Sequence, residues 1–252
     1  MKHLHTGLAA AAALTLALVP AQAAPPGAVR NIVLVHGAFA DGSGWKAVSD
    51  ILEKDGYNVS IVQPPETSLE DDVAAANRIL DRQDGPAVLV GHSYGGIIIT
   101  EAGNNPHVAS LVYVAAFQPD EGESLAKLGA RMPPASTAAA PSKDGFLFID
   151  PAAFHADFAA DLPAAQADLM ARSQVPVSLK AVTAEVSSPA WKTKPSYAIV
   201  AAQDRSINPE LERFMYNRSH AVTTEIKGSH AIYISQPRAV ANVIEQAARA
   251  GS

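Results

Sequence analysis

None of the 252 residues is cysteine. That absence removes disulfides and thiol chemistry together: stability has to come from an apolar core, and a cysteine nucleophile is ruled out. Charge is also scarce. Asp, Glu, Lys and Arg make up 17% of the chain, the formal net charge is −6, and no block of Lys or Arg occurs. A surface without a basic stripe offers nothing to nucleic acid or to an anionic membrane, so neither is expected as a partner. Long apolar runs are missing too. The N-terminal stretch from Leu8 to Val19 spans 12 residues, short of the roughly 20 that a membrane-crossing helix needs, so no stable membrane anchor is expected.

What that stretch does resemble is a secretory leader. Lys2 precedes it, and Pro20 and the small-residue triplet Ala21-Gln22-Ala23 follow it, which is the order of a signal peptide. Cleavage is expected after Ala23, with export to the periplasm or the medium, leaving 24–252 as the mature domain. No cysteine follows the cleavage site to carry a lipid, and no Arg pair marks a twin-arginine route. The remaining chain, in a sequence 48% apolar, has a globular balance and the length for a substantial core. A monomer or small homo-oligomer is expected.

Segments of β character alternate with segments of helical period. "NIVLVHG" (31–37), "PAVLVG" (86–91), "VASLVYVAAF" (108–117) and "SYAIVAA" (196–202) are short continuous apolar runs, as strands buried on both faces require. "YNVSIV" (57–62) and "AVTTEI" (221–226) are strand-like as well. Between them Trp45, Val48, Ile51 and Leu52 recur at helical spacing up to Gly56, Thr67-x-x-Glu70 has the form of a capping box, and "YGGIIITEAG" reads as a helix. Further helices are predicted near Pro209–Arg218 and from about Gln236 to Arg249. This order predicts an α/β fold with a mostly parallel sheet and helices on both faces. The alternation lapses over 118–191, read as a helical cap insertion lying over one end of the sheet.

In such a sheet ligands gather beyond the carboxyl ends of the strands. His36-Gly37, Ser93, Asp204 and His230 all fall there. Gly91-x-Ser93-x-Gly95 joins a strand to a helix, the context in which glycines allow a sharp turn that exposes a serine hydroxyl. A serine becomes nucleophilic when a histidine, oriented by a carboxylate, takes its proton. His230 follows the last strand and Asp204 the one before it, so Ser93, Asp204 and His230 form a candidate triad. Asp120, in "FQPDEGE", also follows a strand and stands as the alternative acid. His36 and His92 are read as structural, bonding local backbone, and His107, His155 and His220 as surface residues; none has metal-ligand spacing.

These pieces together resemble the α/β-hydrolase superfamily, in its small serine-esterase branch that includes methylesterases and hydroxynitrile lyases. The resemblance covers about residues 30 to 249 and rests on "LVHGAFADGSGW", "GHSYGG", "LVYVAAFQPDEGE" and the Asp204 and His230 loops. It implies a triad, an oxyanion hole, a helical cap and no cofactor. By position, the oxyanion donors are the N–H groups of Tyr94 and Ala38, with Phe39 as the alternative to Ala38. Phe39, Phe146, Phe148, Phe154 and Phe158 are the candidate substrate-lining residues. The hydroxynitrile lyases of this branch carry lysine after the catalytic histidine and threonine after the loop histidine, where this chain has Ala231 and Gly37. The expected function is therefore hydrolysis of a small carboxylic ester through an acyl-enzyme. A non-hydrolytic ligand-binding protein of the same fold, or a cofactor-free lyase or haloperoxidase-type enzyme, is the alternative.

Overall fold

The computed structural model describes residues 27–250; the signal-peptide reading of 1–23 lies outside the described residues. In chain order the elements are β1 Asn31–Val35, α1 Lys46–Lys54, β2 Asn58–Val62, α2 Leu69–Leu80, β3 Ala87–Ser93, α3 Gly95–Ala102, β4 Val108–Ala116 and α4 Leu125–Arg131. There follow β5 Ala139–Pro141, β6 Phe146–Ile149, α5 Pro151–Phe158, α6 Ala164–Ser173, β7 Val177–Ser178 and α7 Leu179–Thr183. The chain ends with β8 Ser196–Ala201, α8 Pro209–Arg218, β9 Val222–Ile226, α9 Ile232–Ser235 and α10 Pro237–Ala250. Six strands form one sheet in the order β2-β1-β3-β4-β8-β9, every pair parallel.

The continuous apolar runs become strands with both faces covered, because successive side chains point to opposite sides. Val33 and Val35 of β1, Leu89 of β3, Leu111 of β4 and Val200 of β8 pack on one side, with Ala76 and Leu80 of α2, Ile97 of α3 and Met215 of α8. Ile32, Leu34, Val88, Val90, Val112 and Ile199 pack on the other, with Val48 and Leu52 of α1 and Val240 and Ile244 of α10. Each such Val, Leu, Ile or Met side chain, withdrawn wholly from water, contributes about 1.5–3 kcal/mol, so the two apolar layers dominate the fold's stability. The edge strands β2 and β9 are more exposed, as their polar Asn58, Ser60, Thr223 and Glu225 require.

Helix ends follow local chemistry. Gly56 takes φ +91° after α1, letting Tyr57 N–H reach the Leu52 carbonyl (3.0 Å) and Gly56 N–H that of Glu53 (3.1 Å), the paired bonds of a Schellman stop. The cap of α2 lies one residue later than predicted. Ser68, not Thr67, accepts the N–H of Asp71 (3.1 Å) and donates to its carboxylate (2.8 Å), because Ser68 has the extended backbone a cap needs.

The insertion is not purely helical. Besides α4 to α7 it carries a second, antiparallel sheet, β5-β6-β7, built partly from the Ala/Pro/Ser-rich residues 133–142, a composition that by itself suggests a loop. Pro141 is tolerated there on an edge strand. Its own apolar cluster joins Ile149, Phe154, Phe158, Leu162 and Ala167 to Ala40 and Ala231 of the main body. This seats the cap over the loops that follow β1 and β9.

Candidate active site

The turn after β3 is tighter than the glycine spacing alone implies. The left-handed backbone falls on Ser93 itself, at φ +54°, and the flanking glycines serve close packing. A Cβ on Gly91 would stand 2.5 Å from the Gly95 carbonyl oxygen, and one on Gly95 would stand 2.7 Å from that of His36. Beside the turn, β4 has an extra residue: His92 pairs with Val114 and Ser93 with Ala116, leaving Ala115 unpaired at φ +44°. Such a bulge bends a strand locally, and this one lets β4 follow the turn.

Ser93 Oγ lies 2.8 Å from His230 Nε2, and His230 Nδ1 lies 2.5 Å from Asp204 Oδ2. Both separations are within proton-transfer reach. Asp204 Oδ1 accepts two backbone N–H groups, of Ser206 (2.7 Å) and Ile207 (2.9 Å), which orient the carboxylate. All three side chains are buried. Asp120 goes elsewhere, pairing with Lys192 (2.6 Å) and accepting the Glu121 N–H (2.7 Å); the structure brings Asp204, not Asp120, to the imidazole.

The loop carrying His230 is held from three sides. His92 Nε2 lies 2.9 Å from the His230 carbonyl oxygen, so the imidazole donates there. Burial, then the neighbouring His230, push the His92 pKa well down, which keeps its ring neutral. This role differs from the local backbone bond expected of it: the bond crosses to the far end of the chain. From the cap, Phe158 accepts the Ala231 N–H through its carbonyl (3.0 Å), and Asp161 accepts the N–H (2.9 Å) and hydroxyl (2.5 Å) of Ser229. His36 spans the Gly37 carbonyl (3.0 Å) and Gln63 (3.1 Å), fixing the loop after β1. His220 is exposed, whereas His107 and His155 are half-buried, His155 meeting the Leu162 carbonyl (3.0 Å).

Among the described residues, the N–H groups of Ala38 and Tyr94 meet no protein acceptor, while that of Phe39 is committed to the Val175 carbonyl (2.9 Å). Two free donors flank the serine, and the alternative donor is occupied. An apolar cavity of about 170 Å³ opens beside them, lined by Ser93, His230, Ala38, Tyr94, Phe39 and Phe158, among others. Phe146, Phe148 and Phe154 do not line it. On β6 the alternation of a strand turns Leu147 to the cavity and leaves Phe148 exposed, and Phe154 is fully buried in the cap, stacked on Phe158 at 4.8 Å. Leu125, Gly129 and Met132 of the α4 segment complete one wall. Their i, i+4, i+7 spacing is a helical signal legible in the sequence, less conspicuous than the aromatics of the same segment.

A model of the alpha/beta hydrolase family matches residues 32–243. Over 121 residues, 41% of this chain, the sequence is 35% identical to a carbendazim hydrolyzing esterase of Nocardioides sp. (strain SG-4G). Over 101 residues, 35% of this chain, it is 34% identical to a pyrethroid hydrolase of Sphingobium wenxiniae. The matches span 49% and 36% of those relatives, about half of their length or less. In backbone the chain is similar to a pyrethroid hydrolase from Sphingobium faniae JZ-2, with a TM-score of 0.75 at 23% identity over 87% of this chain and 97% of that one. It is also similar to polyneuridine aldehyde esterase, with a TM-score of 0.73 at 19% identity over 86% and 98%.

Proposed function

Since the chain belongs to the alpha/beta hydrolase family, we propose that it is an exported serine hydrolase that cleaves small carboxylic esters through an acyl-enzyme. The observation that carries this reading is the relay from Ser93 through His230 to Asp204, at 2.8 and 2.5 Å, set beside two uncommitted N–H groups. In the first half-reaction Ser93 Oγ attacks the ester carbonyl while His230 Nε2 takes its proton. Charge gathers on the carbonyl oxygen, where the Ala38 and Tyr94 N–H groups stabilise it; one such donor is typically worth about 2.7–4 kcal/mol in the transition state. His230 hands the proton to the departing alcohol, and Ser93 keeps the acyl group as an ester. Water, deprotonated by His230, then releases the acid and restores the serine. Asp204 holds the imidazole in the tautomer with Nδ1–H and offsets its charge when protonated.

The apolar cavity supports esters with small, uncharged acyl groups, and the matched curated relatives, an esterase and a pyrethroid hydrolase, are in keeping with this. Export rests on the leader at residues 1–23, and a mature N-terminus at Ala24 in secreted material would support it.

Labelling with a fluorophosphonate and hydrolysis of p-nitrophenyl esters of graded acyl length test the reading. The wild-type chain is expected to be labelled and active, and Ser93→Ala to lose both signals without a lower thermal midpoint. A folded wild-type chain that is neither labelled nor active would sink it in favour of a binding role.

A further inference from the structure

One buried carboxyl next to the relay has no part in the hydrolytic steps. Glu212, on α8, has no exposed surface. Its Oε2 accepts the N–H of Ala201 (3.1 Å), the last residue of β8, and the Ala201 carbonyl accepts the N–H of Asp204 (3.0 Å). Glu212 therefore grips the turn that presents Asp204. Its Oε1 meets no donor among the described residues, and the Glu212 and Asp204 carboxyls are near enough to interact directly.

Two carboxyls in contact and shut off from water do not both stay ionised. The proton must choose, and the partners decide where. Asp204 receives three N–H donors, from Ser206, Ile207 and His230, whereas Glu212 receives one. Negative charge is better held on Asp204, and the proton belongs on Glu212. Burial and then the Asp204 charge push the Glu212 carboxyl well above the usual carboxylate range. The other charged or titratable neighbours leave that balance intact. Arg213 is drawn outward to Glu210 (2.6 Å) and Glu225 (2.6 Å), and Tyr216 spends its hydroxyl on the Ala116 carbonyl (2.8 Å).

We propose that Glu212 is a protonated positioning residue whose O–H donates to the Asp204 carboxylate and fixes its orientation toward His230. This rests on the hydrolytic reading for its meaning, but its test does not depend on a known substrate. Glu212→Gln keeps the shape, a donor for Asp204 and an acceptor for Ala201 N–H, and has no charge to lose. Glu212→Leu removes the donor. The His230 ring is titrated by NMR in each variant, and the fluorophosphonate labelling rate and thermal midpoint are measured alongside.

In Glu212→Gln the His230 titration is expected to stay in place, with labelling within about threefold of wild type. In Glu212→Leu the Asp204 charge loses a donor and stabilises the imidazolium more, so the titration moves up by about half a pH unit or more and labelling slows about tenfold. A downward move of about half a unit in Glu212→Gln would mean that a negative charge had been removed, and would overturn the proposal. So would a Glu212→Leu variant that matches wild type in both readouts. If Glu212→Leu does not fold, Glu212→Gln alone decides. A wild-type chain that resists labelling overturns the hydrolytic reading instead, and the ring titration still decides the state of Glu212.

Discussion

Ser93 bears the strain of its own turn. A side chain at φ +54° sits in a region that costs a non-glycine residue roughly 1–2 kcal/mol, and the glycines around it are small so that the neighbouring backbones can close in and hold it there. The strain has a measurable signature. Ser93→Gly and Ser93→Ala should both be inactive, but the glycine variant should be more stable by about 1 kcal/mol in chemical unfolding, since alanine keeps the Cβ that the turn disfavours. Equal stabilities would place the strain elsewhere. At this scale the sequence was informative where a residue's position in the chain implied its position on the sheet: Ser93, Asp204 and His230 all follow strands, and the structure brings these three together. It was silent where contacts decide. Asp120 also follows a strand; position in the fold favours Asp204, and contacts separate the two acids, since Asp204 meets His230 Nδ1 and the N–H groups of Ser206 and Ile207 while Asp120 pairs with Lys192. Glu212 carried no signal at all, because a buried charged residue looks like a surface one in a single sequence.

The parallel sheet was legible element by element because its central strands are buried on both faces and must be apolar throughout. The cap was not, because its elements are short and half-exposed. A three-residue strand and a four-residue strand (β5 and β6) leave too few positions for a period to show. Aromatic character makes Phe146 and Phe148 the candidates by sequence, whereas the pleat gives the cavity-facing place to Leu147. That register makes a prediction. Leu147→Ala should enlarge the cavity and shift the ratio of kcat/KM for longer over shorter acyl esters by about tenfold, a size set by the methylene groups removed. Phe148→Ala, on the exposed side, should leave the ratio unchanged. The opposite pattern would place β6 one residue out of register.

At the scale of the whole molecule, several carboxyls among the described residues respond to pH in opposite directions. Burial pushes Asp72 up to about 6, against hydrogen bonds from the Tyr94 O–H (2.6 Å) and Glu66 N–H (2.7 Å), and it carries Glu66 and Glu212 well above their ordinary range. The folded chain keeps protons on these groups that the unfolded chain releases. Their contribution is present below the ordinary carboxylate value and is lost as pH rises through the folded one. For Asp72 the window runs from roughly 4 to about 6. Asp161 behaves the other way. Burial alone would raise it, but bonds from Ser229 and Ser235 outweigh that and hold it low, so its contribution fades in acid. Urea unfolding between pH 4.5 and 7 should show Asp72→Asn less stable than wild type at the acid end but with a flatter pH slope, the difference approaching about 1.4 kcal/mol per pH unit at most. Parallel slopes would mean that Asp72 ionises alike in both states.

The lacing of Asp161 and Phe158 to Ser229 and Ala231 bears on how such a chain can be re-engineered. Residues 158–161 and 229–231 act as one joint, although they are distant in sequence. A chimaera that replaces the insertion to obtain a new specificity inherits a foreign half of that joint, and the His230 ring shifts with it. Any graft of 118–191 therefore has to bring the matching 228–231 segment along.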